Sequence, residues 1–191
     1  PIGSAKYTVS SMAQAEGASM LLRAARFLDE PSYEERAKAA VDFMLKPLAE
    51  GGCSVREEGQ LFLEEYPQVP RRSVMNGWVF SIFGLYDISL GDCSYAEDFE
   101  CSARSLAAHL GDYDAGFWSY YDLEHRMASP AYHKLHIAQM EELAAITGMT
   151  EFSTFAEKLS RYQGVGLNRV RAVARKVGQK LTEKSDAVIV Q

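Results

Sequence analysis

A chain of 191 residues fits one compact domain and buries roughly 70% of its unfolded surface, so a core forms without covalent staples. Hydrophobic residues at 47% and charged residues at 24% exclude wholesale disorder, and a formal charge of −6 argues against nucleic acid as the main partner. No apolar run approaches the ~20 residues of a membrane span, nothing at the N-terminus reads as a signal peptide, and Cys53, Cys93 and Cys101 show neither disulfide nor zinc spacing.

Apolar residues at helical spacing run from about Val9 to Leu28, with Met12, Ala15, Ser19, Leu22 and Ala25 on one stripe. Asp29-Glu30-Pro31 breaks it. Ser32 with Glu35 reads as a capping box that opens a second helix to about Leu48. From Cys53 to Tyr66 the pattern alternates around Glu58-Gly59, which predicts a β-hairpin. Beyond Pro67 and Pro70 the spacing predicts helices at about Val74 to Asp87 and Tyr95 to Leu110. A fifth runs from Pro130 to Ile146, and a sixth from Thr150, read as its N-cap, to Tyr162. Gln163-Gly164-Val165-Gly166 separates residues 1–166, a helical domain, from a basic helix and a frayed tail over 167–191. The predicted class is all-α. Short and long links alternate, which suggests helical hairpins stacked like an α/α toroid, with the long links at one end.

Those long links hold the chemistry. Glu64-Glu65-Tyr66-Pro67 sets a phenol beside carboxylates on a rigid turn. In Tyr120-Tyr121-Asp122-Leu123-Glu124-His125, an extended backbone puts Tyr121, Leu123 and His125 on one face. Tyr132-His133-Lys134-Leu135-His136 opens the fifth helix, so Tyr132, His133 and His136 can point together from its first turn. A metal would need a third ligand beside His133 and His136, and only Glu124 stands near; no metal is expected. Asn76 either caps the third helix or meets a sugar hydroxyl. Gln14 and Gln139 lie on the first and fifth helices.

The matching stretches then carry a resemblance. Ser11-Met12-Ala13-Gln14, Glu64-Glu65-Tyr66-Pro67, Asn76-Gly77, Gly84-Leu85-Tyr86-Asp87, Tyr121-Asp122-Leu123 with His125, and Tyr132-His133 with His136-Ile137 and Gln139 resemble the C-terminal catalytic domain of the D-glucuronyl C5-epimerases. The similarity runs from about Tyr7 to Tyr162. It implies catalytic roles for Tyr66, Tyr121 and Tyr132 with Glu65 in support, and substrate contacts at Asn76, His125, His133, His136, Gln14 and Gln139. One position departs: the family carries Arg where this chain has Glu124, and that Arg helps bind the uronate carboxylate. A cation from elsewhere must stand in, and His125, His133 and His136 are the expected replacements. The basic helix with Arg169, Arg171, Arg175, Lys176 and Lys180 lies beyond the matched stretch and reads as a solvated face, with polyanion contact as the alternative.

The resemblance implies an isomerase that inverts C5 of uronate residues within a polysaccharide or oligosaccharide. No cofactor, nucleic acid or membrane span is expected, and self-association is left open. A catalytically degenerate glycan-binding domain and a uronate polysaccharide lyase are the competing functions; a two-carboxylate glycosidase would instead pair Glu65 with Asp122 or Glu124. Unpaired thiols favour a cytoplasmic setting, while the family's animal members work in the Golgi lumen.

Overall fold

The N-terminal stripe folds as helix α1 (Ser11–Leu28), capped by Ser10, whose Oγ accepts the Ala13 amide at 3.3 Å. The structure is a computed structural model that describes residues 9–182; the expected frayed tail at Lys184–Gln191 lies outside them. Asp29, at φ 54°, turns the chain out of α1 and into α2 (Ser32–Leu45). The expected capping box at Ser32 is not formed. Pro31 holds the cap position with no side-chain bond, because its ring already sets φ at −61° and the helix begins one residue early.

The hairpin forms where alternation predicts it. Strands β1 (Ser54–Glu57) and β2 (Gln60–Leu63) are antiparallel, with Glu57 opposite Gln60. Glu58 and Gly59 both take positive φ, 50° and 76°, as a two-residue turn that matches strand twist requires. Helices α3 (Met75–Ser89), α4 (Ala96–His109), α5 (Pro130–Thr147), α6 (Thr150–Gly164) and α7 (Gly166–Thr182) follow among the described residues, so the class is mainly helical as expected. Thr150 lies inside α6, and Met149 holds its cap position without a side-chain bond. No helix among the described residues is long and apolar enough to cross a membrane.

Helix α3 is the centre of the packing and lies against α1, α4 and α5. Its Met75, Trp78, Val79, Ile82, Leu85 and Ile88 are buried, and Trp78 Nε1 donates to Ser102 Oγ of α4 at 2.9 Å. Hairpins α1–α2 and α5–α6 flank it. Contact with α1 is unusually close: a Cβ on Gly84 would stand 2.5 Å from Ala15 Cβ and 2.7 Å from Ala15 Cα. Only glycine permits that approach. Ser81 Oγ, near the same seam, lies 2.8 Å from Ser11 Oγ.

A second, smaller core sits under the link between α4 and α5. Phe117, Trp118, Met127 and Ala128 of the link close over Ala172 of α7. The basic helix is therefore docked on this link rather than merely solvated. Arg171 lies over the Phe117 ring at 4.0 Å and Arg175 over Tyr120 at 5.6 Å.

Candidate functional site

Two adjacent glutamates leave β2 with different fates. Glu64 turns inward and accepts hydrogen bonds from Ser73 N at 2.9 Å and from Ser73 Oγ. Its backbone carbonyl accepts the Ser11 amide at 3.1 Å, which ties the link to the start of α1. Glu65 lies instead against α3, and a Cβ on Gly77 would fall 2.4 Å from its Oε2. Gly77 thus clears the space that the carboxylate occupies. Glu65 is 5% exposed, and its Oε2 has no hydrogen-bond partner. Burial, followed by the nearby Glu16 charge, pushes its carboxyl above the usual range, while the Tyr66 phenol pulls the other way. Tyr66 is 41% exposed. Its phenol is also pushed up, first by partial burial and then by Glu65.

The second long link brings in Tyr121. Met75 N donates to the Tyr121 carbonyl at 3.1 Å, and Leu123 N donates to Arg72 O at 3.0 Å, so the link is stitched to the segment that enters α3. The expected extended face of Tyr121, Leu123 and His125 does not form. His125 takes φ 59° and its amide donates to Asp122 O at 3.0 Å, folding residues 120–127 into a tight turn. His125 is exposed there and stacks on Tyr120 at 4.6 Å.

Tyr132 arrives from the first turn of α5. Ser129 caps that helix by accepting the Tyr132 amide at 3.2 Å, and Pro130 sits in the first turn. The Tyr132 ring meets Tyr121 edge-on at 4.9 Å between centroids and is 38% exposed. Tyr121 is pushed well up, first by burial, then by Glu65, Tyr132 and Tyr66. Three phenols from three separate segments thus share one neighbourhood with Glu65. Tyr121 and Tyr132 line a cleft of about 130 Å³ together with Arg126, Lys176, Gln179 and Lys180. A larger hollow of about 670 Å³ lies beside the hairpin, lined by residues such as Leu48, Val55 and Pro70, and contains none of these phenols.

The histidines of α5 point elsewhere than expected. His133 and His136 are both 0% exposed. His133 Nε2 donates to Leu159 O at 3.1 Å, which leaves Nδ1 to accept from Ser119 N at 3.2 Å. Ser119 Oγ sits between His133 Nδ1 (2.8 Å) and His136 Nδ1 (2.9 Å). A single direction satisfies this chain: His136 Nδ1–H donates to Ser119 Oγ, whose hydroxyl donates to His133 Nδ1. Trp118 stacks on His133 at 3.7 Å. Burial lowers the two imidazoles to about 4 and about 3, so both are neutral and neither can supply the cation assigned to them. They fasten α5 to the second link and so hold Tyr132 in place.

A consequence follows for acid stability. A histidine whose folded pKa is depressed stabilises the fold above its unfolded value of about 6.5, and the contribution is lost as pH falls towards the folded value. Between pH 7 and pH 4.5 the two histidines together cost the fold on the order of 2–5 kcal/mol, and in urea melts His136→Gln should remove its share of that loss relative to the unsubstituted protein. An equal slope in both proteins would remove the neutral assignment.

Asn76 is the second residue of α3, not its cap; Val74 takes that position with no side-chain bond. Gln139 Nε2 donates to the Asn76 carbonyl at 3.1 Å, and both Asn76 Oδ1 and Gln139 Oε1 are buried without a partner. With Glu65 Oε2 these make three buried acceptors that lack a hydrogen-bond donor. Gln14 is half-buried on α1, next to Ala15 and one turn before Ala18, two residues buried on that helix. Among the described residues no group of three or more His, Cys, Asp or Glu is arranged to hold a metal.

The model of the D-glucuronyl C5-epimerase C-terminus matches residues 5–161. The chain belongs to that family. The D-glucuronyl C5-epimerase of Caenorhabditis elegans is 29% identical over 174 residues, which cover 80% of this chain and 28% of the relative. The chain thus spans less than a third of that relative's length. The region matched to the epimerase family contains Glu65 and all three clustered phenols, and it ends before α7.

Within this epimerase C-terminal domain, the residue at the resemblance's departure is accounted for by ion pairs. Glu124 pairs with Arg72 at 3.2 Å and lies 3.8 Å from Arg126 Nε. Arg126 also pairs with Asp122, which is fully buried. Arg126, Lys176, Gln179 and Lys180 were not singled out as site residues from the sequence. The lysines at 176 and 180 are four apart, one helical turn on the same face, and that spacing is the signal that could have found them.

Proposed function

We propose that this domain inverts C5 of uronate residues in a polysaccharide, by removing the C5 proton on one face of the sugar and returning a proton on the other. The single observation that carries the reading is the buried Glu65 carboxylate, its Oε2 unpartnered, in the neighbourhood it shares with Tyr66 and the edge-on pair Tyr121 and Tyr132. The helical hairpins would form an arc of the toroid that the resemblance implies.

The C5–H bond is acidic only because its electron pair can spread into the neighbouring carboxylate, so neutralising that group is the main electrostatic task. Breaking the bond sends the proton to a phenolate oxygen and leaves an enolate-like anion. Tyr66 suits the base role: its proton passes to Glu65, and a carboxylate whose pKa is raised holds a proton better at neutral pH. Burial and Glu65 raise the resting Tyr66 phenol, and Arg72 offsets only a part of that, so the phenolate forms only as Glu65 takes the proton. Tyr132 suits the acid role and delivers its hydroxyl proton to C5 from the other side. Tyr121, raised and edge-on to Tyr132, remains a neutral phenol that can donate a hydrogen bond to the anion. The unsatisfied oxygens of Asn76 and Gln139 would accept sugar hydroxyls.

A two-carboxylate glycosidase is disfavoured, since Asp122 and Glu124 are held in ion pairs with Arg126 and Arg72. A lyase shares the first step and then expels the C4 substituent. Incubation with a heparosan-type polymer in deuterated water separates the readings. Epimerisation gives deuterium at C5 and iduronate signals without an ultraviolet-absorbing product. An unsaturated product would favour the lyase, and binding without exchange would leave a glycan-binding domain.

A further inference from the structure

The cleft beside Tyr121 and Tyr132 is walled on one side by a helix that lies outside the region matched to the family. Lys176, Gln179 and Lys180 all come from α7, which begins at Gly166, whereas the match ends at residue 161. The helix is not there by chance. Gln179 Oε1 accepts the Met127 amide at 2.9 Å, and Gln179 Nε2 donates to His125 O at 3.0 Å. Lys176 Nζ donates to Met127 O at 2.8 Å. These bonds clamp α7 onto the turn that carries Tyr121, with Ala172 sealed beneath.

Charge accounting then singles out one residue. Around the turn, two guanidiniums face two carboxylates: Arg126 is matched by buried Asp122, and Arg72 by Glu124. Those four charges offset one another and leave no surplus for an incoming anion. The cleft lining contains no acid, and besides Arg126, already matched by Asp122, its cationic side chains are Lys176 and Lys180 of α7. Lys180 is exposed, sits one turn beyond Lys176, and makes no ion pair among the described residues. In a chain of net charge −6, a cleft with this lining selects for anions.

We propose that α7 supplies the cation that receives the uronate carboxylate, with Lys180 as the specificity-determining residue and Lys176 beside it. The inference rests on the uronate reading above and replaces the histidines in that role. An ammonium on a flexible stem can follow a carboxylate whose position shifts as C5 inverts, which a rigid guanidinium fork does less readily. Gln179 keeps the helix in register, so the ammonium is delivered to the cleft that Tyr121 and Tyr132 line.

The test uses the full chain and calorimetric titration with a heparosan-type oligosaccharide and with its carboxyl-reduced counterpart. A charged hydrogen bond predicts that the protein prefers the acid form by about tenfold or more. Lys180→Met should erase most of that preference without moving the melting temperature, and Lys180→Arg should restore it. A preference that survives Lys180→Met overturns the proposal, as does equal binding of the two forms or binding of neither. Acid-selective binding that depends on Lys180 but comes without C5 exchange would sink the epimerase reading and leave this one standing.

Discussion

Tyr132→Phe slows deuterium incorporation at C5 of a uronate polymer by about 10²–10⁴-fold, the usual contribution of a positioned proton donor. The substitution removes only the hydroxyl. The ring keeps its edge-on contact with Tyr121, and the backbone amide keeps its bond to the Ser129 cap. Because Tyr132 is 38% exposed, the fold does not depend on the phenol, and melting should be unchanged. Tyr66→Phe gives a loss of the same order by removing the base. Exchange at the wild-type rate in either variant contradicts the assignment of these two phenols.

Glu65→Gln should produce opposite effects on activity and stability. Burial raises the Glu65 carboxyl, so ionising it in the folded protein costs more than ionising it in the unfolded chain. The fold therefore has its full stability below the unfolded carboxyl range, where the group is protonated in both states. Stability is lost as pH rises through the folded value. A neutral amide of the same shape escapes that penalty, so the variant melts above the wild type at pH 8 and level with it near pH 4. Activity falls by about 10²-fold or more, since Tyr66 no longer has a carboxylate to take its proton. Urea melts at several pH values read the first effect and isotope exchange reads the second. A wild type more stable than Glu65→Gln at pH 8 would mean that the carboxylate is satisfied by partners and not strained by burial. Such opposition is the mark of a group retained for chemistry.

Local signals carried the fold a long way. The stripe on α1, the alternation around Glu58-Gly59 and Pro130 at the start of α5 each reflect an interaction within a few residues, and each element formed where those residues stand. Capping was harder to read. Ser32 and Asn76 are good cap residues, yet Pro31 and Val74 take those positions, because helix starts are set by backbone geometry and by the contacts of the whole segment. Tyr66 and Tyr121 stand out as aromatic residues on long links, and Tyr132 as one in the first turn of the helix that follows. What sequence spacing does not contain is direction across the tertiary fold. His133 and His136 are three apart, but the inward face of α5 is decided by Trp118, Ser119 and the Leu159 carbonyl, all distant in the chain. The same applies to α7. Its basic residues read as a solvated face until the small core around Ala172 fixes the helix on the aromatic link and turns Lys176 and Lys180 to the cleft.

The convergence of phenols is tested most directly by nuclear magnetic resonance of the protein with ¹³C-labelled tyrosine rings, titrated with a heparosan-type oligosaccharide. The account predicts that the ring signals of Tyr66, Tyr121 and Tyr132 move together along one saturation curve, while those of Tyr33, Tyr86 and Tyr113 stay in place. Movement confined to tyrosines outside that trio, or three signals that respond at different concentrations, would contradict it.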